Sequence, residues 1–493
     1  MPSHNYNLKV RIPPSPTGPL HLGTARTALY NFLFIRKHGG RFVFRLEDTD
    51  RERSKSEYVD DIINGLKWLG ITWDEGPLRQ SEHIARHQFV VRELLAKGQA
   101  YECFCSQEEL TEIRQAQRAM NQVEGYDNRH RTLTDEQKQE FKNQGRKAVI
   151  RFKLPDQSEI CWDDLIRGKM VVNTSDLGGD PVIAKDNGDV LYNFAVVIDD
   201  HDAGITQVIR GEDHLHNTAK QIPIFEAMGW DIPEFAHVPL ILTSTREKLS
   251  KRKHGDIASI AKYIHEGYLP EAISNYLIAM SWQFKLPSED STQAREVFTI
   301  AEATTVFELK DISKSAAIYD PQKLHWFCKE HFKLLTATEV FRRAKPFLEA
   351  ENLNLAQYSE EHLLQMISLV KDGLNTLSEI PHQLKFFFKD INFHELEHEA
   401  KECLENPEAK HILIEFLTLV SETDTASFDK EKANELLAQL AEKTKIKKGK
   451  KLFWPLRSAI SGNTHGPDLV SILSILGIEN LILRTKKALN FIG

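Results

Sequence analysis

Two short segments, far apart in the chain, carry the residues best suited to chemistry on phosphates. The first is Pro14-Ser15-Pro16-Thr17-Gly18-Pro19-Leu20-His21-Leu22-Gly23-Thr24, and the second is Lys248-Leu249-Ser250-Lys251-Arg252. The alternation of Leu8 to Ile12 suits a strand, while Ala25, Leu29, Phe32 and Leu33 recur at helical spacing. The first segment therefore reads as a strand, a tight turn and a helix start. Prolines and Gly18 fix the turn, and Gly23 leaves no side chain between the backbone and a docked group. A helix start presents unpaired N–H groups and the positive end of a dipole, which favours a triphosphate or a developing oxyanion. His21 adds a hydrogen bond there when charge develops. The second segment supplies Lys248 and Lys251, with Arg252 and Lys253 adjacent, enough positive charge to neutralise leaving pyrophosphate. Ser250 can orient that loop. Taken singly, a Pro-Gly turn before a helix is ordinary and a Lys/Arg cluster is usually a solvated face. Their order, with a catalytic-domain-sized interval between them, is what carries information.

Composition bounds what these segments can belong to. At 493 residues the prior is roughly two to four domains, with apolar content sufficient for separate cores. Hydrophobic residues at 41% and charged residues at 27% describe a globular protein. No apolar run approaches the roughly 20 residues that span a bilayer, and Met1 to Leu8 lacks a signal-peptide pattern, so no membrane partner and a cytoplasmic location are expected. Five scattered cysteines, Cys103, Cys105, Cys161, Cys328 and Cys403, do not make a disulfide framework, and reduced thiols are expected. The net charge of −8 looks wrong for a nucleic-acid partner, but binding depends on local stripes of charge rather than on the sum. Lys248 to Lys253 is one such stripe. Lys443 to Lys451, where six of nine residues are lysine, is another, with Lys447 and Lys448 at its centre.

With His21-Leu22-Gly23-Thr24 and Lys248-Leu249-Ser250-Lys251-Arg252 in this order, the chain resembles class I aminoacyl-tRNA synthetases, matching their HIGH and KMSKS motifs. Thr24 stands where the general motif has its second histidine, as is usual in glutamyl-tRNA synthetases. Arg11 to Gly18, Arg45-Leu46-Glu47-Asp48-Thr49-Asp50, Trp68-Leu69-Gly70, Asp199-Asp200-His201 and Val208 to His214 narrow the resemblance to the bacterial glutamyl family, over nearly the whole chain. Glutaminyl relatives carry a different turn at the first motif. The resemblance implies a two-step ligase reaction with ATP, Mg2+, L-glutamate and tRNA(Glu), performed by a monomer. His21, Lys248 and Lys251 would be catalytic. Ser15, His21, Gly23, Thr24, Lys248, Ser250 and Lys251 would hold ATP.

A site for glutamate must meet two carboxylates and one ammonium, so it needs an arginine, a second cation or several donors, and one acid. Arg11, Arg210 and Glu47 meet that requirement. The resemblance implies that Arg11 and Tyr192 read the side-chain carboxylate, Arg210 holds a carboxylate oxygen and Glu47 takes the ammonium, with Ser15 and the backbone near Pro13 completing the wall. Arg45 and Asp48 are expected to form ion pairs at the strand end. Val196 stands where some relatives have asparagine, which removes one polar contact. Asp48, Asp50, Asp199 and Asp200 are conceivable magnesium ligands, but magnesium usually enters on the ATP phosphates with its waters.

The elements that must position these residues follow from pattern. Residues 1–99 alternate strand-like runs (Arg41 to Leu46) with helical ones (Val59 to Leu69, Ile84 to Ala96), as in a parallel α/β sheet whose ligands sit at strand ends. The resemblance implies that 1–99 is the first half of a Rossmann-like catalytic domain and 100–193 an α/β insertion for the acceptor end. It likewise implies that 194–247 is the second half, 248–322 the KMSKS loop with a stem-contact domain, and 323–493 an all-helical anticodon-binding region. Tyr192 to Ile198 is expected to resume the sheet, Gln207 to Arg210 to continue it, and Ile257 to Met280 to be helical. In the helical region the resemblance rests on Gly449, Pro455-Leu456-Arg457, Gly466-Pro467 and Leu476-Gly477.

Two features stay open at this level. Some bacterial glutamyl enzymes bind structural zinc through a Cys-x-Cys pair and a Tyr-Asp-Gly-Arg-Cys-Arg-His segment. Here Cys103 and Cys105 are present, but the segment reads Tyr126-Asp127-Asn128-Arg129-His130-Arg131-Thr132. His130 can replace one ligand, whereas Thr132 removes another, so a metal-free cluster is the expectation. Gly373 occupies a place where some enzymes restricted to tRNA(Glu) carry an arginine, so charging of tRNA(Gln) with glutamate is also open. A glutamyl-queuosine-tRNA synthetase, a small-molecule nucleotidyltransferase and a non-enzymatic tRNA binder are the alternatives. None of them explains the lysine loop, the intact pocket and the helical third together.

Overall fold

The structure is a computed structural model that describes residues 8–50, 52–249, 255–285, 295–423 and 428–493. The chain forms two compact units, one reaching Ile264 and taking in Ile273–Pro321, the other made of His265–Ala272 and Gln322–Gly493.

The first unit is built on parallel strands. β1 (Lys9–Ile12), helix α1 (Leu22–His38), β2 (Arg41–Leu46), α2 (Ser56–Trp68) and β3 (Glu75–Arg79) follow one another, and β1 pairs with β2 and β2 with β3, all parallel. After α3 (Ile84–Ala96) the chain leaves for β4 (Ala100–Cys103), α4 (Gln107–Ala119), α5 (Asp135–Asn143) and β5 (Val149–Phe152). It then makes the hairpin of β6 (Glu159–Asp164) and β7 (Gly168–Asn173) and the short β8 (Val182–Ala184). β4, β5 and β8 form a small antiparallel sheet of their own. The hairpin instead joins β10, so the stretch 100–193 lends two strands to the same sheet as β9 and β10.

Next come α6 (Tyr192–Asp202), β9 (Gln207–Gly211), α7 (Leu215–Met228) and β10 (Glu234–Val238), with β9 and β10 parallel and Arg210 opposite His237. β1 meets β9 where the Thr206 N–H donates to the Lys9 carbonyl at 2.9 Å and the Lys9 N–H donates to Thr206 Oγ1 at 2.8 Å. The carboxyl ends of β1, β2, β9 and β10 therefore open on one side, where α/β sheets bind ligands. The short β11 (Ile241–Leu242) pairs in parallel with β12 (Ala317–Ile318) below the loop that carries Lys248.

Two expectations from pattern need correction. Tyr192 to Ile198 is the start of α6 and not a strand. A short run of branched apolar residues reads equally well as a buried strand or a helix buried all round, and Phe194 to Asp200 are all buried. Ile257 to Met280 is not one helix: a short turn of helix at Gly255–Ala258 is followed by Ile260–His265 and Pro270–Ala279, with Gly267 at φ 75° between them.

The second unit is all helical among its described residues. Side-chain caps at Thr336, Ser359, Asn406, Asp429 and Asp468 start its helices, each oxygen taking an N–H that the first turn leaves unpaired. Leu413, Phe416, Leu437, Leu452, Leu473 and Leu481 are buried in its core. The last helical stretch, Leu469–Ile492, is broken at Gly477, whose φ of 71° and ψ of 163° are open essentially only to glycine.

Candidate active site

A cleft of about 440 Å³ opens at the carboxyl ends of β1, β2, β9 and β10. Arg11, Pro13, Ser15, His21, Gly23, Thr24, Glu47, Tyr192, Arg210 and Lys248 all line it. Strand geometry explains the gathering: Arg11 is the last but one residue of β1, Glu47 follows β2 and Arg210 is the last but one of β9. Tyr192 opens α6, and His21 caps α1.

One half of the cleft is buried and crowded with charge. Arg11 donates through Nε to Asp200 Oδ1 at 3.2 Å and through Nη2 to Oδ2 at 3.3 Å. Arg45 brings Nη1 to 2.8 Å from the same carboxylate and Nη2 to 3.6 Å from Glu47. Burial pushes the Glu47 carboxyl up to about 7, against the pull of Arg45 and Arg11. Burial likewise pushes Tyr192 up to about 12, reinforced by Glu47. Arg210 is brought down to about 10, chiefly by burial, while its Nη2 donates to Thr218 Oγ1 at 2.6 Å and Gln221 Oε1 at 2.9 Å. Burial and then the Arg210 charge hold His214 at about 4, so it is neutral.

Arg11 Nη1, Arg210 Nη1 and Glu47 Oε1 are buried without hydrogen-bond partners among the described residues. Such groups are costly unless something binds them. Arg11, Arg45 and Arg210 also outnumber Asp200 and Glu47 by one charge. The arrangement suits a small molecule with two carboxylates and one ammonium.

The other half is more open. His21 Nδ1 accepts the Gly23 N–H at 3.0 Å, which closes the N-cap of α1. A Cβ on Gly23 would lie 3.3 Å from that same nitrogen, so the glycine leaves the ring and the helix start room. Thr24 is half-buried beside them. Lys248 is half exposed, and its Nζ donates to Asp213 at 2.7 Å. Ser250, Lys251, Arg252 and Lys253 lie outside the described residues. A capped helix start and a lysine that line one cleft can both contact a phosphate chain.

The acidic residues around the cleft are already engaged. Asp199 accepts from Gln80 at 2.7 Å and contacts His87 at 2.7 Å, Asp48 accepts from Arg79 and Ser81, and Asp50 accepts from Arg53. With Asp200 held by Arg11 and Arg45, none of the four conceivable magnesium ligands points unencumbered into the cleft. Val196 is buried within α6 and does not line it.

Cys103, Cys105 and His130 do come together, with one donor atom of each within 4.8 Å of the others. Cys105 Sγ lies 3.5 Å from His130 Nδ1, which also accepts the Phe104 N–H at 3.1 Å. Cys103 Sγ lies 3.4 Å from the Tyr126 hydroxyl. Among the described residues no fourth cysteine, histidine or carboxylate joins the group, so these side chains do not make the closed four-ligand site that structural zinc takes. In the helical unit, Lys447 and Lys448 are exposed in the loop between the helices Lys430–Thr444 and Lys450–Ser461. Gly373 ends a short exposed turn, with nothing within 4 Å of where a Cβ would stand.

Sequence reasoning missed several residues that the fold brings to the cleft. Arg26 and Asp213 line it, as does His214. Asp200 holds Arg11 from behind, and His237, itself held by Asp164, accepts from Arg210. The pair Asp199-Asp200 was a visible signal, since adjacent acids in an apolar run demand buried cations.

Residues 7–326 match the model of the class I tRNA synthetase catalytic domain of the glutamate and glutamine type, and residues 339–489 match an anticodon-binding domain. The chain belongs to that class I tRNA synthetase family. It is 42% identical over 472 residues to the glutamate–tRNA ligase of Synechococcus sp. (strain JA-3-3Ab), covering 95% of this chain and 96% of that one. It is 43% identical over 480 residues to the glutamate–tRNA ligase of Nostoc sp. (strain PCC 7120), covering 96% and 97%. A crystal structure of a glutamate tRNA ligase from Elizabethkingia meningosepticum in complex with its amino acid superposes with a TM-score of 0.85 at 32% identity, over 99% of this chain and all of that one.

Proposed function

We propose that the chain is a glutamate-activating tRNA ligase. A glutamate carboxylate oxygen attacks the α-phosphorus of Mg-ATP, pyrophosphate leaves, and glutamyl adenylate forms. The terminal ribose hydroxyl of tRNA(Glu) then attacks the glutamyl carbonyl, and AMP leaves. No enzyme nucleophile takes part, so positioning and charge stabilisation supply the rate. The observation that carries this reading is the buried trio of Arg11 Nη1, Arg210 Nη1 and Glu47 Oε1, without hydrogen-bond partners among the described residues and borne by residues that line the same cleft as His21 and Lys248.

Arg11 and Tyr192 take the side-chain carboxylate, Arg210 a carboxylate oxygen and Glu47 the ammonium. Ser15, Gly23, Thr24, Ser250 and Lys251 complete the ATP side, and magnesium arrives with ATP. The stretch around β4, β5 and β8 receives the acceptor end, and Lys447 and Lys448 contact tRNA in the helical unit. The enzyme works as a cytoplasmic monomer. Cys103, Cys105 and His130 form a metal-free cluster; metal analysis of protein purified without added zinc, reading one zinc per chain, would overturn that assignment.

A non-discriminating enzyme is the second reading, favoured by Gly373, which presents no side chain at its exposed turn. Aminoacylation of separately purified tRNA(Glu) and tRNA(Gln) with radiolabelled glutamate, against a glutamine control, tests both. Charging of tRNA(Glu) alone sinks the second reading, and charging with glutamine in preference to glutamate sinks the first.

A further inference from the structure

Behind Arg210 lies a chain of buried groups that the reaction itself does not use. Arg210 Nε donates to His237 Nε2 at 3.2 Å, and Thr218 Oγ1 lies 3.0 Å from the same nitrogen. His237 is fully buried, and its Nδ1 stands 2.6 Å from Asp164 Oδ2. The other carboxylate oxygen, Oδ1, accepts the backbone N–H groups of Ile166, Arg167 and His237 at 3.0, 2.8 and 3.2 Å. An imidazole nitrogen can accept from a guanidinium only if it carries no proton. The Asp164 carboxylate requires the proton on Nδ1, which leaves Nε2 as the acceptor. Burial keeps His237 below the ordinary imidazole value, consistent with a neutral ring.

We infer that Asp164 and His237 are positioning residues that fix one tautomer of the imidazole and thereby lock the Arg210 guanidinium, with Nη1 turned to the substrate carboxylate. The inference rests on the reading of Arg210 as a glutamate ligand. It ties that ligand to the β6–β7 hairpin, because Asp164 ends β6 and also organises the turn into β7 through the Ile166 and Arg167 N–H groups. Asp164 thus supports the amino-acid site from the hairpin without lining the cleft.

Asp164→Asn tests the tautomer directly. An asparagine oxygen can still take the backbone N–H groups, but its NH2 then faces His237 Nδ1 and forces the proton onto Nε2, where two donors, His237 and Arg210, confront each other. Loss of one buried hydrogen bond to a charged group corresponds to roughly a tenfold or larger rise in the KM for glutamate. The KM for ATP should stay within about twofold, since no ATP contact changes. Two changes at 237 keep the test sound if Asp164→Asn folds poorly. His237→Gln can place an amide oxygen near the Nε2 position and should hold the glutamate KM to within about threefold, whereas His237→Asn reaches only the Nδ1 position and should behave like Asp164→Asn. In the His237→Gln background, Asp164→Asn should add little to the glutamate KM.

The assay is ATP–pyrophosphate exchange with tRNA present, with Arg210→Ala as the reference. If Arg210→Ala leaves the glutamate KM unchanged, the reading of Arg210 as a ligand fails. If Arg210→Ala raises it while Asp164→Asn and His237→Asn do not, the positioning role alone is overturned. It is also overturned if the glutamine and asparagine variants at 237 lose equally, or if glutamate and ATP constants shift together, because a merely structural contact predicts those outcomes.

Discussion

The two halves of the cleft are built on opposite plans. On the side assigned to the amino acid, Arg11, Arg45, Glu47, Asp200 and Arg210 are each at most 6% exposed; Arg11 and Arg45 share the Asp200 carboxylate, Arg45 also reaches Glu47, and Arg210 is held by His237, Thr218 and Gln221. On the phosphate side, His21 is half-buried at a helix start, and Lys248 is tied by a single pair to Asp213 with the two side chains 50% and 39% exposed. The difference follows the chemistry. Telling glutamate from its neutral amide needs charges fixed and stripped of water, so that a wrong ligand leaves a buried cation unpaired. Stabilising a leaving pyrophosphate needs charge that can follow moving atoms, which a buried ion pair cannot do.

Removing the shared counter-charge should cause the largest damage and would test whether the amino-acid side is one interlocked unit. Asp200→Ala leaves Arg11 and Arg45 facing each other in the interior, which costs about 3–5 kcal/mol of stability and is read in a thermal or urea melt. A loss below about 1 kcal/mol would mean that the charges are not buried as a unit. On the phosphate side, Lys251→Ala should lower the rate of adenylate formation by about 10²-fold or more while leaving glutamate binding nearly intact. Equal losses in both would erase the contrast between the halves.

Glu47 sharpens the comparison through pH. Its folded value of about 7 means that the ligand-free site holds a proton below neutrality. A carboxylate that takes an ammonium must lose that proton on binding, so the KM for glutamate should fall about tenfold per pH unit as pH rises toward 7 and level off above it. The linkage has the opposite sign for the ligand-free fold. A raised acid value stabilises it below the ordinary glutamate range, and that contribution is lost as pH rises through about 7. Glu47→Gln should flatten the KM profile at a raised plateau. The smallest effect is expected at Asp213: with both partners more than a third exposed, Asp213→Asn should move the rate by no more than about fivefold, since such pairs contribute at most about 1 kcal/mol.

Much of this was legible in the residues themselves, for identifiable reasons. The strand, turn and helix from Leu8 to Leu33 are written locally by alternation, proline and helical spacing, and β1 and α1 fall there. The charges required by a dicarboxylate amino acid pick out Arg11, Glu47 and Arg210, all of which line the cleft. What could not be read is what arises from topology. No local pattern says that Asp164 sits beneath His237, because that contact depends on the β6–β7 hairpin docking beside β10. Nor does spacing reveal that Asp200 serves Arg11 and Arg45 at once, since the three residues come from α6, β1 and β2. α6 was misread for a different reason: a helix buried on every side loses the polar stripe by which helices are recognised.

The most direct test of the division between the two halves is a pair of Michaelis analyses in ATP–pyrophosphate exchange, one on Arg11→Gln and one on Lys248→Ala. The account predicts that Arg11→Gln raises the KM for glutamate by about 10²-fold with the KM for ATP nearly unchanged, while Lys248→Ala lowers kcat with the KM for glutamate nearly unchanged. If both substitutions move the same constant, the two halves do not divide the work and the account is wrong.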